Sequence, residues 1–113
     1  MQINNLSMIA YRSASEKGWH DTPRSIPELL CLIHSELSEA LEEYRSGNPP
    51  DHIYYNLDKN DNVKPEGLPI EIADAVIRIA DFCGLHEIDL EKAINIKLEY
   101  NKKRSYRHGD KRC

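Results

Sequence analysis

The stretch IEIADAVIRIADFCG, residues 70–84, constrains the fold more than any other part of the chain. Read at the helical period it sets apolar residues on nearly every side, and a helix of that kind must be almost wholly buried. Its polar residues, Glu71, Asp74, Arg78 and Asp81, fall on a single line at i, i+3, i+7 and i+10. Burying an uncompensated carboxylate costs several kcal/mol, and neighbouring carboxylates also repel one another. A buried helix with such a strip therefore requires positive charge against it. Arg78 neutralises one acid and leaves the others without a partner.

A second strip makes the shortage worse. In IHSELSEALEEY, residues 33–44, Glu36, Glu39 and Glu43 recur at i, i+3 and i+7, on a line held two turns earlier by Leu29 and Leu32. On this helix alone the ordinary reading is a solvated acidic face. The other acidic helix has no second polar face to offer to solvent, and that favours a shared ligand. Carboxylates at i and i+3 on two facing helices gather oxygen ligands around one point. Such an environment suits a hard divalent cation, Mg²⁺ or Mn²⁺, that keeps several of its waters. Ferritin-like di-iron sites need Glu-x-x-His on two helices. None of His20, His34, His52, His86 or His108 has a glutamate three residues before it, so the site is oxygen-only.

Four helices are expected, over roughly residues 3–17, from the Ser25 cap to Gly47, from Pro69 to Gly84, and from the Asp89 cap to about Tyr106. Between the second and third lies NPPDHIYYNLDKNDNVKPEGLP, rich in turn residues, with a short extended piece at Ile53-Tyr54-Tyr55 as its only strand-like feature. The fold class expected is all-α, and 113 residues fit one domain spanning 1–113. Cys31, Cys83 and Cys113 have neither zinc nor disulfide spacing, and the first two, in apolar runs, read as buried thiols. No run reaches the ~18 apolar residues of a membrane span, and no signal pattern opens the chain, so a cytoplasmic protein is expected.

Charge is unevenly spread. Residues 97–112 hold seven Lys/Arg and two acids, which leaves a net of −9 on the rest of a chain whose total is −4. An acidic body with a basic tail argues against a general nucleic-acid binder and fits a protein that holds cations in one place and phosphate in another. The fourth helix supports this. Its apolar stripe is Leu90, Ala93, Ile94 and Leu98, yet Lys97 and Asn101 fall inside the stripe, with Arg104 on the same line. Lysine snorkelling explains one such residue. A lysine, an amide and an arginine in a row suit a polar cavity and phosphate oxygens.

Glu36-x-x-Glu39 followed by Glu71-x-x-Asp74, with KLEYNKKR and YRHG downstream, resembles the MazG-like branch of the all-α nucleoside triphosphate pyrophosphohydrolases. The resemblance runs from about Lys17 to Lys111. It implies a four-helix bundle completed by dimerisation, as a homodimer or a dimer of dimers, with pockets near subunit contacts. Glu36, Glu39, Glu71 and Asp74 match the family's Mg²⁺ ligands. Lys97 and Asn101 match nucleotide contacts, with Arg104 joining on phosphate. The implied reaction is NTP or dNTP + H₂O → (d)NMP + pyrophosphate, in housecleaning or control of nucleotide pools. One departure is the long stretch between the acidic motifs, a loop that borders the base pocket in the family. Trp19, the sole tryptophan, is either a core or interface anchor or, as the resemblance implies, a surface on which a base stacks.

The chemistry fits these residues on its own terms. A carboxylate not fully committed to metal, Glu39, would orient or deprotonate the attacking water, with Glu36 beside it in the catalytic set. There is no Gly-x-x-x-x-Gly-Lys-Ser/Thr loop, and no cysteine or serine has a local activating partner. The alternative is a non-catalytic helical module that binds nucleotide or mediates oligomeric contacts.

Overall fold

The computed structural model describes residues 2–104. The YRHG motif and the basic end of the tail lie outside the described residues. A nine-residue loop joins α1 (Ile3–Glu16) to α2 (Ile26–Arg45), a hairpin of β1 (Tyr54–Leu57) and β2 (Val63–Glu66) separates α2 from α3 (Leu68–Leu85), and a short turn leads to α4 (Leu90–Lys102). The chain is thus mostly helical with a small two-stranded sheet. The all-α expectation missed that sheet, and α4 stops four residues short of Tyr106.

Local chemistry sets most of the boundaries. The Ser25 hydroxyl accepts the Glu28 N–H at 3.2 Å, and Pro27 occupies the first turn of α2. Asp89 caps α4 by accepting the Lys92 N–H at 3.0 Å. Helix α1 has no side-chain cap of its own. Glu91 of α4 takes that role, its Oε1 accepting the N–H of Ile3 at 3.1 Å, while Asn4 donates to Asp89 at 2.8 Å and accepts the Glu91 N–H at 3.2 Å. Each helix start thus closes the other, satisfying N–H groups that a helix leaves open at its N-terminus.

Helix α3 is central and packs against both α1 and α2, whereas α4 meets the rest mainly at α1. The buried apolar residues are all small: Ala10, Ala40, Ala75, Ala80 and Cys83. Small side chains let the helix backbones approach closely, but they bury little apolar area. Several of the larger apolar residues, Phe82 and Leu85 among them, are half-buried, and many others are exposed. Ile72 and Val76 are 42% and 44% exposed, and Ile79 shares their face of α3. The expectation that α3 is almost wholly buried therefore fails within one chain, because α4 does not cover the third side of the helix. Cys31, expected to be buried, is exposed on α2; Cys83 is buried as expected. The radius of gyration, 17.0 Å, exceeds the roughly 13 Å of a compact chain this long. No helix among the described residues is long and apolar enough to cross a membrane.

The hairpin pairs Tyr54 with Glu66 and Leu57 with Val63, antiparallel. Asp58 shapes its turn by accepting the N–H groups of Asn60 and Asn62, and Asp61 sits at φ +61°. One face carries Tyr55, Leu57, Val63 and Pro65; the other carries Tyr54, Asn56, Lys64 and Glu66. The Tyr54 hydroxyl donates to Glu43 of α2 at 2.8 Å, and Asn48 donates to the same carboxylate at 2.8 Å. Glu43 thereby anchors the hairpin, and its hydrogen bond pushes the Tyr54 hydroxyl up to about 12.

Gly67 joins the hairpin to α3 at φ +123°, and a Cβ placed there would lie 2.3 Å from the backbone oxygen of His52. Gly47, past the end of α2, has φ +91° and open space around it. Gly67→Ala is expected to cost ~2 kcal/mol or more, from strain plus a backbone clash, and to lower Tm by roughly 10 °C. Gly47→Ala, carrying strain alone, costs about half as much. Thermal melts of the two variants side by side check this, and equal losses would contradict the close approach at His52.

Candidate metal centre

The contact between α2 and α3 brings the two acidic strips face to face. One oxygen each from Glu36, Glu71 and Asp74 lies within 4.8 Å of the others. Glu36 is buried and Glu71 and Asp74 are half-buried, while Glu39 is exposed. Three of the four sequence-expected ligands therefore gather at one point, with Glu39 at the rim close enough to raise Glu71.

The electrostatics match that crowding. Burial pushes the Glu71 carboxyl up to about 7, helped by the adjacent Glu39 carboxyl and then by the charges of Asp74 and Glu36. Glu71 Oε2 is buried and has no hydrogen-bond partner among the described residues. Two ionised carboxylates are both acceptors, so Glu39 can satisfy Glu71 only when one of the pair holds a proton. Asp74 is also raised, by burial first and then by Glu36; Arg78 and Lys64 pull it back down. A buried, unpartnered carboxylate oxygen among other acids is the arrangement that a hard cation completes.

The remaining acids on the two lines have other partners. Glu43 is held by Tyr54 and Asn48. Asp81 accepts from His20 Nε2 at 2.8 Å, and the His20 ring stacks on Tyr11 with centroids 5.4 Å apart. Arg78 donates through Nε to Glu36 at 2.7 Å. The His20 contact gave no sequence signal, because a histidine in a turn has no periodicity to place it.

Beside the acids, a cavity of about 300 Å³ opens between α1, α2 and α3. Its lining includes Trp19, Arg24, Glu36, Asp74, Arg78 and Asp81. Trp19 is 45% exposed, with the guanidinium carbons of Arg24 and Arg78 at 4.8 and 5.3 Å from its ring centroid. The structure thus brings Trp19 to the acidic cluster. It does not bring Lys97, Asn101 or Arg104 there within one chain. Lys97 and Arg104 lie over the Tyr100 ring, and Asn101 lines a shallow groove on α4. Comparison with known proteins finds no matching family model, curated protein or solved structure.

Two linked effects follow for stability. The Glu71 carboxyl titrates near 7 in the fold against about 4.5 when free, so its neutral form is the one the fold favours. Stability from this group is complete below about pH 4.5 and lost as pH rises toward 7. Metal-free protein is expected to melt at progressively lower temperature across that window, and Glu71→Gln is expected to flatten the slope. Mg²⁺ or Mn²⁺ at neutral pH is expected to raise Tm, and EDTA to lower it. Differential scanning fluorimetry in the two buffers checks both effects; a Tm indifferent to metal would remove the case for a cation.

Proposed function

We propose that the chain is a Mg²⁺-dependent nucleoside triphosphate pyrophosphohydrolase, converting NTP or dNTP and water into the monophosphate and pyrophosphate. The observation that carries this reading is the meeting of Glu36, Glu71 and Asp74 oxygens within 4.8 Å, beside a cavity walled by Trp19 and two arginines. The same residues carry the resemblance to the MazG-like pyrophosphohydrolases. A nucleotide presents an aromatic base and an anionic chain, and the cavity offers a ring and a cation site to receive them.

Glu36, Glu71 and Asp74 would hold the metal, with Glu39 completing the set from the rim. Mg²⁺ bound there supplies neutralisation of phosphate oxygens and stabilisation of the pyrophosphate leaving group. Glu39, the most exposed of the four, is free to orient the attacking water and take its proton. The water oxygen bonds to the α-phosphorus, the bond from that phosphorus to the α,β-bridging oxygen breaks, and pyrophosphate leaves with the bridging oxygen. Trp19 receives the base by stacking.

The reading includes assembly as a homodimer or a dimer of dimers. An accessible surface of 8884 Å² exceeds the roughly 6,400 Å² of a folded 13.1 kDa monomer. Leu37 and Leu41 on α2 and Ile72 and Val76 on α3 are left half-exposed. Half-exposed apolar side chains on two neighbouring helices support the reading that a second copy covers them. Lys97, Asn101 and Arg104 would act on phosphate only if assembly brings an α4 against the acids, so oligomer and site stand together.

Product analysis over ribo- and deoxyribonucleoside triphosphates with Mg²⁺ is the test. Monophosphate and pyrophosphate are expected, from a protein that light scattering shows to be oligomeric at micromolar concentration. Glu71→Gln is expected to abolish turnover while matching or exceeding the wild-type Tm in EDTA. Orthophosphate as first product would refute the assignment. Tight nucleotide binding without turnover would establish the non-catalytic module instead.

A further inference from the structure

Arg78 is the single cation on a helix line otherwise made of Glu71, Asp74 and Asp81. Asp74 and Asp81 lie one turn to either side, yet neither comes within ion-pair distance of it; its partner is Glu36, across on α2. That bond runs from Nε to Glu36 Oε1 at 2.7 Å, between an arginine side chain 30% exposed and a glutamate side chain 9% exposed. A guanidinium has five N–H donors, and its usual grip on a carboxylate is a two-pronged fork. Here a single prong, Nε, is used. Among the described residues the terminal nitrogens donate to nothing. The guanidinium lies over Trp19 and lines the cavity that also holds Asp74.

A pure counter-ion would spend its fork on the acids around it. This one is tethered at its inner nitrogen and supported on its face by an indole ring, its two terminal nitrogens have no partner among the described residues, and its side chain lines a cavity beside the carboxylate cluster. We propose that Arg78 is a phosphate-binding residue of this site, its terminal nitrogens taking two oxygens of the nucleotide's polyphosphate. The assignment rests on the nucleotide reading above. Glu36 has two carboxylate oxygens, so it can hold Arg78 with one and serve the cation with the other. Arg78 is then positioned by the same side chain that positions the metal. This places a fork for phosphate on α3 itself, within the chain that supplies the acids.

The test titrates magnesium pyrophosphate and magnesium tripolyphosphate into the full-length protein by calorimetry. Trp19, the only tryptophan, gives a parallel fluorescence signal, since drawing Arg78 onto phosphate changes the cation over its ring. Arg78→Gln is expected to weaken both ligands by about tenfold or more, as loss of a two-pronged charged contact should. Arg78→Lys, which keeps the charge and loses the fork, is expected to fall between. Arg45→Gln, at the exposed end of α2, is expected to bind like wild type. A nucleoside lacking phosphate should show no dependence on residue 78. If Arg78→Gln does not fold, Arg78→Lys decides.

Wild-type affinity in the Arg78 variants overturns the proposal, as does failure of the wild type to bind either polyphosphate. A lowered Tm alone does not support it, because loss of the Glu36 tether produces that in any case. Turnover of NTP with KM unchanged in Arg78→Lys would overturn the assignment and leave the enzyme reading intact. Arg78-dependent polyphosphate binding with no turnover would do the reverse.

Discussion

The crossing of α2 and α3 is the contact on which the rest depends. Ala40 on α2 and Ala75 on α3 are buried, and their small side chains let the two backbones come close. Close approach is what sets Glu36 against Glu71 and Asp74. Larger residues there would bury more apolar area and hold the carboxylates apart. The chain instead accepts a poorly filled core and a repulsive cluster. Each of those features is destabilising for a lone folded chain.

Arg78 shows how the fold tolerates the cluster without metal. Its bond to Glu36 removes one charge from the group, and the proton favoured at Glu71 removes another near neutral pH. Asp74 is raised by burial and by Glu36 and lowered by Arg78, so it stays part of the repulsive group. Neither device fills the coordination of a cation. The arginine uses one nitrogen, and the proton leaves Glu71 Oε2 without a partner.

Much of this was legible in the sequence where the signal was periodic. The four helices follow from their apolar spacing, and Ser25 and Asp89 cap where their side chains say they should. Of the two acidic lines read at i and i+3, Glu36 meets Glu71 and Asp74, while Glu39 stays outside the three-residue group. Partners distant in sequence were not legible. Glu43 looks like a third member of its strip, and only the fold reveals that Tyr54 of the hairpin claims it. The α1 cap comes from Glu91, 88 residues away. The hairpin strands are four residues each, with one exposed apolar face and turn residues between them, too short for alternation to stand out. Helix α3 misled differently. Its all-round apolar character reads as burial on every side, yet α1 and α2 pack on it and Ile72, Val76 and Ile79 stay exposed.

The central claim is that Glu36, Glu71 and Asp74 hold a divalent cation through oxygen while water stays on the metal. Electron paramagnetic resonance of Mn²⁺ reads this directly, because the sharp six-line spectrum of the free aqua ion broadens and loses intensity when protein carboxylates replace part of its shell. Titrating Mn²⁺ into metal-free protein should remove the free-ion signal stoichiometrically, and Mg²⁺ in excess should restore it by competition. Glu71→Gln should leave that signal largely untouched. A folded wild-type protein that leaves the aqua-ion spectrum unchanged would contradict the account.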